Sequence, residues 1–246
     1  MHLQRPLVLA CAFLLAAGSL PSSADTGKEL QNVKGEVAYQ APNQAAKPIA
    51  ANASIALADK TFAITGAQSI GAVTLPDSSK VLVGSNSKVQ MAFFDRAEGN
   101  SAKFIVYNGS TRFTVEHPQG AAANYTFQTP TATVGVRGTQ GDIGVAPDGT
   151  LTVNVYQVSN PDLPVTVQTN DGHHFIVNQG QSFAARLVNG VLQAEVNKLT
   201  QGAVDQFTGD FGVPTNWDQL KNEIVNQVQS KIPVPSIPGI PLPPKS

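Results

Sequence analysis

The chain has 246 residues, a formal net charge of −1, 13% charged residues, 21 glycines and 17 prolines. Near-neutrality leaves no electrostatic footprint for nucleic acid or an anionic membrane surface, and the few, scattered aromatics argue against a stacking platform for single strands. Sparse charge with abundant glycine and proline instead suits many short strands joined by tight turns, in one generous all-β domain or two small ones.

Residues 1–24 read as a secretory signal peptide. Arg5 supplies the short positive end, Leu7 to Ala17 an apolar run too short to cross a bilayer, and Ser22-Ser23-Ala24 a small-residue cleavage site. Cleavage is expected after Ala24. Cys11 leaves with the leader, so the mature chain has no cysteine, and neither a disulfide framework nor a thiolate site is expected. No membrane insertion of the mature chain is expected either.

Leu30 to Tyr39 reads as the first strand and 40–52 as a polar loop. Short strands follow at Ser54 to Leu57 and Thr61 to Thr65, and then Ile70 to Leu75 and Val81 to Val83 flank the turn Pro76-Asp77-Ser78-Ser79. Val89 to Phe94 precedes a charged loop. Four hairpins are expected, turning at Asn108-Gly109, Pro147-Asp148-Gly149, Asp171-Gly172 and Asn189-Gly190, because Asn-Gly and Asp-Gly supply the positive φ angles of primed turns. Strands recurring about every ten residues indicate a sandwich, a barrel or a solenoid-like stack.

Composition shifts near Lys198. Leu199, Ala203, Phe207 and Phe211 recur every fourth residue, as on one helix face, although Gly202 and Gly209 weaken the pattern. Thr215 resembles an N-cap before an apolar stripe of Trp217, Leu220, Ile224, Val228 and Ile232. The final run holds six prolines and favours an extended polyproline conformation. The expected organisation is therefore a signal peptide at 1–24, a β domain at 25–196, a helical extension at 197–232 and a proline-rich tail at 233–246.

The most informative stretch is Phe127 to Val145. Thr129-Pro130 opens it, and Thr131 to Arg137 then alternates, placing Ala132, Val134 and Val136 on one face. Gly138 breaks the pattern, Thr139 to Gly141 turns the chain, and a second strand follows through Ile143 and Val145. The motif residues Thr129, Pro130, Arg137, Gly138 and Thr139 read as structural. Arg137 is expected to pair with Asp77 or Asp142, since an unpaired charge on a covered face is too costly. The alternative is a contact to an anionic ligand or partner.

Thr129-Pro130-Thr131-Ala132 followed by Val136-Arg137-Gly138-Thr139 resembles the central motif of the FecR family of periplasmic domains, the iron-dicitrate sensor and regulator type. Gly35-Glu36-Val37, Ser69 to Gly84, Asn108-Gly109 and Asn178 to Gln181 resemble the family's flanking elements, so the likeness spans about residues 30–185. It departs at Asp77-Ser78-Ser79, where the family's turn has a glycine, and at Gln140-Gly141. The family's best-known members carry an anti-sigma segment and a membrane span before this domain, and neither is expected here. The resemblance implies an elongated, stacked all-β arrangement, a location in the periplasm or outside the cell, and sensing or relay through protein contacts.

Nothing in the spacing points to a reaction. His173-His174 lie on opposite faces of an extended chain, and no HxH, HExxH or CxxC pattern occurs, so no metal is expected. Asp142, Asp148, Asp162 and Asp171 all read as turn residues, and no GxSxG elbow exists. No cofactor is expected. The resulting expectation is a non-catalytic, all-β, FecR-type module of many short antiparallel strands, in a two-layer sandwich or solenoid-like stack, that meets an envelope protein partner. A carbohydrate- or cell-wall-binding domain is the alternative, with Tyr107, Phe113, Tyr125 and Tyr156 as candidate sugar contacts. A hydrolase built from distant loops ranks third.

Overall fold

The computed structural model describes residues 27–97, 99–116 and 123–214, which form seventeen strands and one helix. The chain winds between two facing sheets. Strand β1 (Glu29–Lys34) lies in the first sheet, β2 (Val37–Gln40) and β3 (Lys47–Ile49) in the second, and β4 (Ser54–Ala56) in the first. Next come β5 (Thr61–Thr65) in the second, β6 (Ile70–Thr74) and β7 (Lys80–Val83) in the first, and β8 (Lys88–Asp95) in the second. Strand β9 (Ser101–Thr114) belongs to both sheets. Thereafter the chain alternates in pairs. Strands β10 (Asn124–Gln128) and β11 (Ala132–Val136) lie in the second sheet, and β12 (Thr139–Val145) and β13 (Leu151–Val158) in the first. Strands β14 (Val165–Thr169) and β15 (His174–Val177) return to the second, and β16 (Gln181–Val188) and β17 (Val191–Lys198) to the first.

In spatial order the first sheet runs β4-β1-β6-β7-β9-β12-β13-β16-β17 and the second β3-β2-β5-β8-β9-β10-β11-β14-β15. The arrangement is all-β, two-layered and not closed into a barrel. Strict alternation explains the core. Ala132, Val134 and Val136 of β11 are fully buried, as the period of two requires. Aromatic rings bridge the layers, with Phe113 of the first sheet 5.1 Å from Phe127 of the second, and Phe183 5.1 Å from Phe175. Ladders are antiparallel except β9 with β10, which pair in parallel from Asn124 opposite Ser101.

The expected hairpin at Asn108-Gly109 does not form. Its flanks pair with different neighbours: residues 101–108 with β8, and 109–114 with β12. Gly109 has φ +93°, and the inward-facing residues change parity across it, from Ala102, Phe104 and Val106 to Thr111 and Phe113. The positive φ that a primed turn would use here carries one continuous strand from one sheet to the other. The other three hairpins form as expected between β12 and β13, β14 and β15, and β16 and β17.

Two further expectations need correction. The first strand is broken at Gly35 (φ +72°) into β1 and β2, and the polar loop contains β3, which pairs with β2 despite Pro48 because it lies at an edge. Helix α1 (Gln201–Phe211) forms despite its glycines. Thr200 caps its N-terminus by accepting from the Ala203 N–H, and Gly212 (φ +75°) ends it. Its fully buried side chains are Val204 and Phe207. The expected signal peptide with Cys11, His117, the Trp217 stripe and the proline-rich tail lie outside the described residues. No described helix is long and apolar enough to cross a membrane.

Gly109 is a stringent test of this fold. A Cβ there would fall onto the Ser87 side chain and 2.5 Å from the Ser87 Cα, in addition to the backbone strain. Gly190 (φ +78°) has open space around it. Urea unfolding is expected to show Gly109→Ala losing more than about 2 kcal/mol, and Gly190→Ala only about 1 kcal/mol.

Candidate functional site

The motif singled out in the sequence is a pair of corners. Thr129 Oγ1 accepts from the N–H groups of Thr131 (3.3 Å) and Ala132 (3.0 Å), closing the tight turn between β10 and β11. Asn170 Nδ2 donates to the Pro130 carbonyl at 2.6 Å, fastening that turn to the β14–β15 hairpin. Gly138 (φ +66°) makes the corner that carries the chain from the second sheet to the first, and its carbonyl accepts from Ser159 N at 2.8 Å. Thr139 accepts Val115 N on its carbonyl, and its Oγ1 is buried without a hydrogen-bond partner.

Arg137 does not pair with Asp77 or Asp142. Strand β11 ends at Val136, so Arg137 stands at the corner and its side chain is exposed. Asp77 instead accepts from Tyr125 Oη at 2.7 Å and from Ser79 N at 3.0 Å. Ser78 there takes φ +71°, the left-handed position where a glycine would be unstrained.

The buried charge lies elsewhere. Asp142, read from the sequence as a turn residue, sits inside β12 and is completely buried on the outer face of the first sheet. Arg112 of the neighbouring β9 grips it with both arms, Nε to Oδ1 at 2.7 Å and Nη2 to Oδ2 at 3.0 Å. Tyr156 of β13 donates its hydroxyl to the same carboxylate. The remaining arm of Arg112, Nη1, donates to the Gly212 carbonyl at 2.7 Å and the Phe211 carbonyl at 3.4 Å, so one guanidinium joins the sheet to the C-terminal end of α1. Its plane lies 5.1 Å from the Phe211 ring centroid and 5.6 Å from that of Tyr156.

The rest of this outer strip is also polar and also engaged. Ser110 Oγ donates to Asp210 Oδ2 (2.5 Å), Asn154 Nδ2 to the Ala203 carbonyl (2.9 Å), and Ser182 Oγ to Asn154 Oδ1 (2.7 Å). Glycines let α1 lie close. A Cβ on Gly144 would come 2.9 Å from the Phe207 ring, and one on Gly84 2.7 Å from that of Phe211. The helix thus runs from β13 across β12 to β9. Both oxygens of Asp142 are taken, the cluster is sealed from water by α1, and its chemistry is fastening.

Electrostatics follow from this burial. Desolvation pushes the Asp142 carboxyl above the usual aspartate range, opposed by the Arg112 guanidinium and the Tyr156 hydroxyl. Desolvation also pushes the Tyr156 and Tyr125 phenols far above the ordinary tyrosine value, reinforced by the carboxylates of Asp142 and Asp77. Sequence reasoning missed Arg112. The available signal was Asp142 alternating outward with Gly144 between buried Ile143 and Val145, a pattern that fits a strand packed on both faces.

Three of the four aromatics considered as sugar contacts are covered, Phe113 and Tyr125 between the sheets and Tyr156 beneath α1. Phe113, Tyr125 and Tyr156 are buried, and only Tyr107 is exposed, 5.7 Å from Phe62 across the outer face of the second sheet. His173 contacts Asp171 at 3.1 Å on the surface. Among the described residues no group of three or more His, Cys, Asp or Glu side chains converges as a metal site would.

Residues 61–159 match the family described as FecR protein. The match covers 99 of the 246 residues. The matched stretch spans β5 to β13, so Arg112, Asp142 and Tyr156 lie within it, whereas α1 lies beyond it. No curated protein matches the chain. Two crystal structures of a protein from Parabacteroides distasonis ATCC 8503, described as an anti-sigma factor, are similar at 15% identity, with TM-scores of 0.47 and 0.46. The alignments cover 59% and 58% of this chain, and 64% and 62% of those chains, less than two thirds of their length.

Two outcomes test the fastening role. Arg112→Ala strands a buried carboxylate and is expected to cost about 3–5 kcal/mol in urea, with Arg112→Lys recovering only part, whereas Arg137→Ala stays within about 0.5 kcal/mol. The second test is alkaline titration. The folded-state value of Tyr156 lies above its unfolded one, so its stabilising contribution is complete below about pH 10 and is lost as pH rises further. Tyr156→Phe is expected to lower the urea midpoint at pH 7 but to flatten its fall above about pH 10; an equally steep fall would show that the phenol is not held neutral.

Proposed function

We propose that the chain is an exported, non-catalytic FecR-type module that works in the cell envelope through protein contacts, as a sensing, scaffold or protein-binding domain. The match of residues 61–159 to the FecR family carries this reading. Two features support it. The buried carboxylate of Asp142 has both oxygens engaged, by Arg112 and by Tyr156, and is covered by the helix rather than open to a substrate. The short apolar run and small-residue site at 1–24 supply a route of export, with the periplasm or the exterior as destination. The glycan-binding alternative retains Tyr107 with Phe62, a single aromatic pair rather than a platform.

The decisive experiment sets chemical cross-linking of the purified chain in envelope preparations beside a glycan array. The expected result is a defined cross-linked protein that also binds the purified chain directly. Glycan binding abolished by Tyr107→Ala, without any protein partner, would replace the proposal by its alternative. N-terminal sequencing of envelope material is expected to begin at Asp25, and a start at Met1 or Cys11 would refute processed export.

A further inference from the structure

The two ends of the stack differ in the edges they offer. At one end the outermost strands, β3 and β4, have three residues each, and β3 carries Pro48, which cannot donate to a ladder. At the other end β17 has eight residues, no proline, and no partner on its outer side among the described residues. An unprotected edge of that length is a template for another strand.

The orientation of its backbone groups can be read from its hairpin. Val188 and Val191 flank the two-residue turn Asn189-Gly190, which makes them a hydrogen-bonded pair. Odd-numbered residues of β17 therefore bond to β16, and Leu199 N continues the series by donating to the Gly180 carbonyl at 2.8 Å. Leu192, Ala194, Val196 and Lys198 then direct their N–H and C=O groups to the free edge. The side chains of Leu192, Ala194 and Val196 face the interior and pack, half-buried, against the core.

We infer that a second copy of this chain pairs with β17 edge to edge, antiparallel, about a twofold axis through Ala194. In that register Ala194 meets its own copy, Leu192 meets Val196, and Gln193 meets Glu195. Apolar residues oppose apolar ones on the inner face, an amide opposes a carboxylate on the outer face, and about six ladder hydrogen bonds form from groups otherwise left to water. Moving the register by two residues one way sets Glu195 against Glu195, a like-charge clash. Among the described residues the three most exposed large apolar side chains, Ile176 (61%), Leu187 (63%) and Val191 (65%), belong to β15 and the β16–β17 hairpin, the elements that end the stack. Helix α1 leaves β17 across β13 toward β9 and does not cover this edge. Because the opposite end is guarded by Pro48, the pairing closes as a dimer rather than growing into a fibre.

The test is independent of the envelope reading. Sedimentation of the full chain with Cys11→Ser is expected to show a concentration-dependent dimer. Ala194→Pro removes only an outward N–H and is expected to weaken the dimer at least about tenfold with an unchanged thermal melt. Should that variant fail to fold, oxidation supplies the second measurement. Ala194→Cys is expected to form an intermolecular disulfide, its Cα atoms lying about 5.5 Å apart. Lys198→Cys, whose copies would be roughly 27 Å apart, is not. A chain that stays monomeric at high micromolar concentration, or disulfides formed equally at both positions, would overturn the inference. The monomer result would leave β17 to an extended segment of another protein.

Discussion

Among the described elements strand β9 is the one that both sheets share, and the rest of the stack depends on it. Its first half completes a ladder with β8 and β10, and its second half one with β7 and β12. Only glycine holds φ +93° without strain while bringing the backbone onto Ser87, where the Ser110 N–H finds the Ser87 hydroxyl at 2.9 Å. Side-chain parity reverses there, and the inward rows on both sides of the crossing thereby meet a single core.

The outer face of the first sheet poses a second problem, since its residues nearest α1 are polar. Burying Arg112 and Asp142 is costly, and a pair of this kind adds little net stability over an apolar contact of the same shape. What the pair provides is position. A guanidinium with five fixed donors satisfies one carboxylate and two helix-end carbonyls at once, so α1 has one resting place. The C-terminal carbonyls of a helix need partners, and here a strand supplies them. The first sheet thus presents a preformed polar seat, and the chain that follows β17 provides the helix that occupies it.

This division bears on function. A domain whose interior charge is committed to internal fastening offers its surroundings strand edges and surface side chains. On the proposed reading, contacts to other chains fall at the ends of the stack, where edge strands among the described residues leave backbone groups unpaired. The segments whose sequence resembles the FecR family, Thr129-Pro130 and Gly138-Thr139, form corners that keep the two layers in register.

Much of this architecture is local and therefore legible in the sequence. Alternation of Ala132, Val134 and Val136, three of the four glycine turns, the recurrence of strands and the helix beginning near Leu199 are properties of short segments, fixed by pleat geometry and by the φ angles each residue tolerates. What a segment does with its neighbours is decided only in three dimensions. Asn108-Gly109 has the chemistry of a hairpin, yet its flanking strands find better partners in different sheets. Arg137 looks like a buried charge because alternation, continued one residue too far, hides the end of β11. Arg112 and Asp142 are 30 residues apart in the chain and meet because β9 and β12 are neighbours, a pairing that no local pattern encodes. Local steric preference is written residue by residue, whereas long-range pairing depends on the free energy of the whole assembled core.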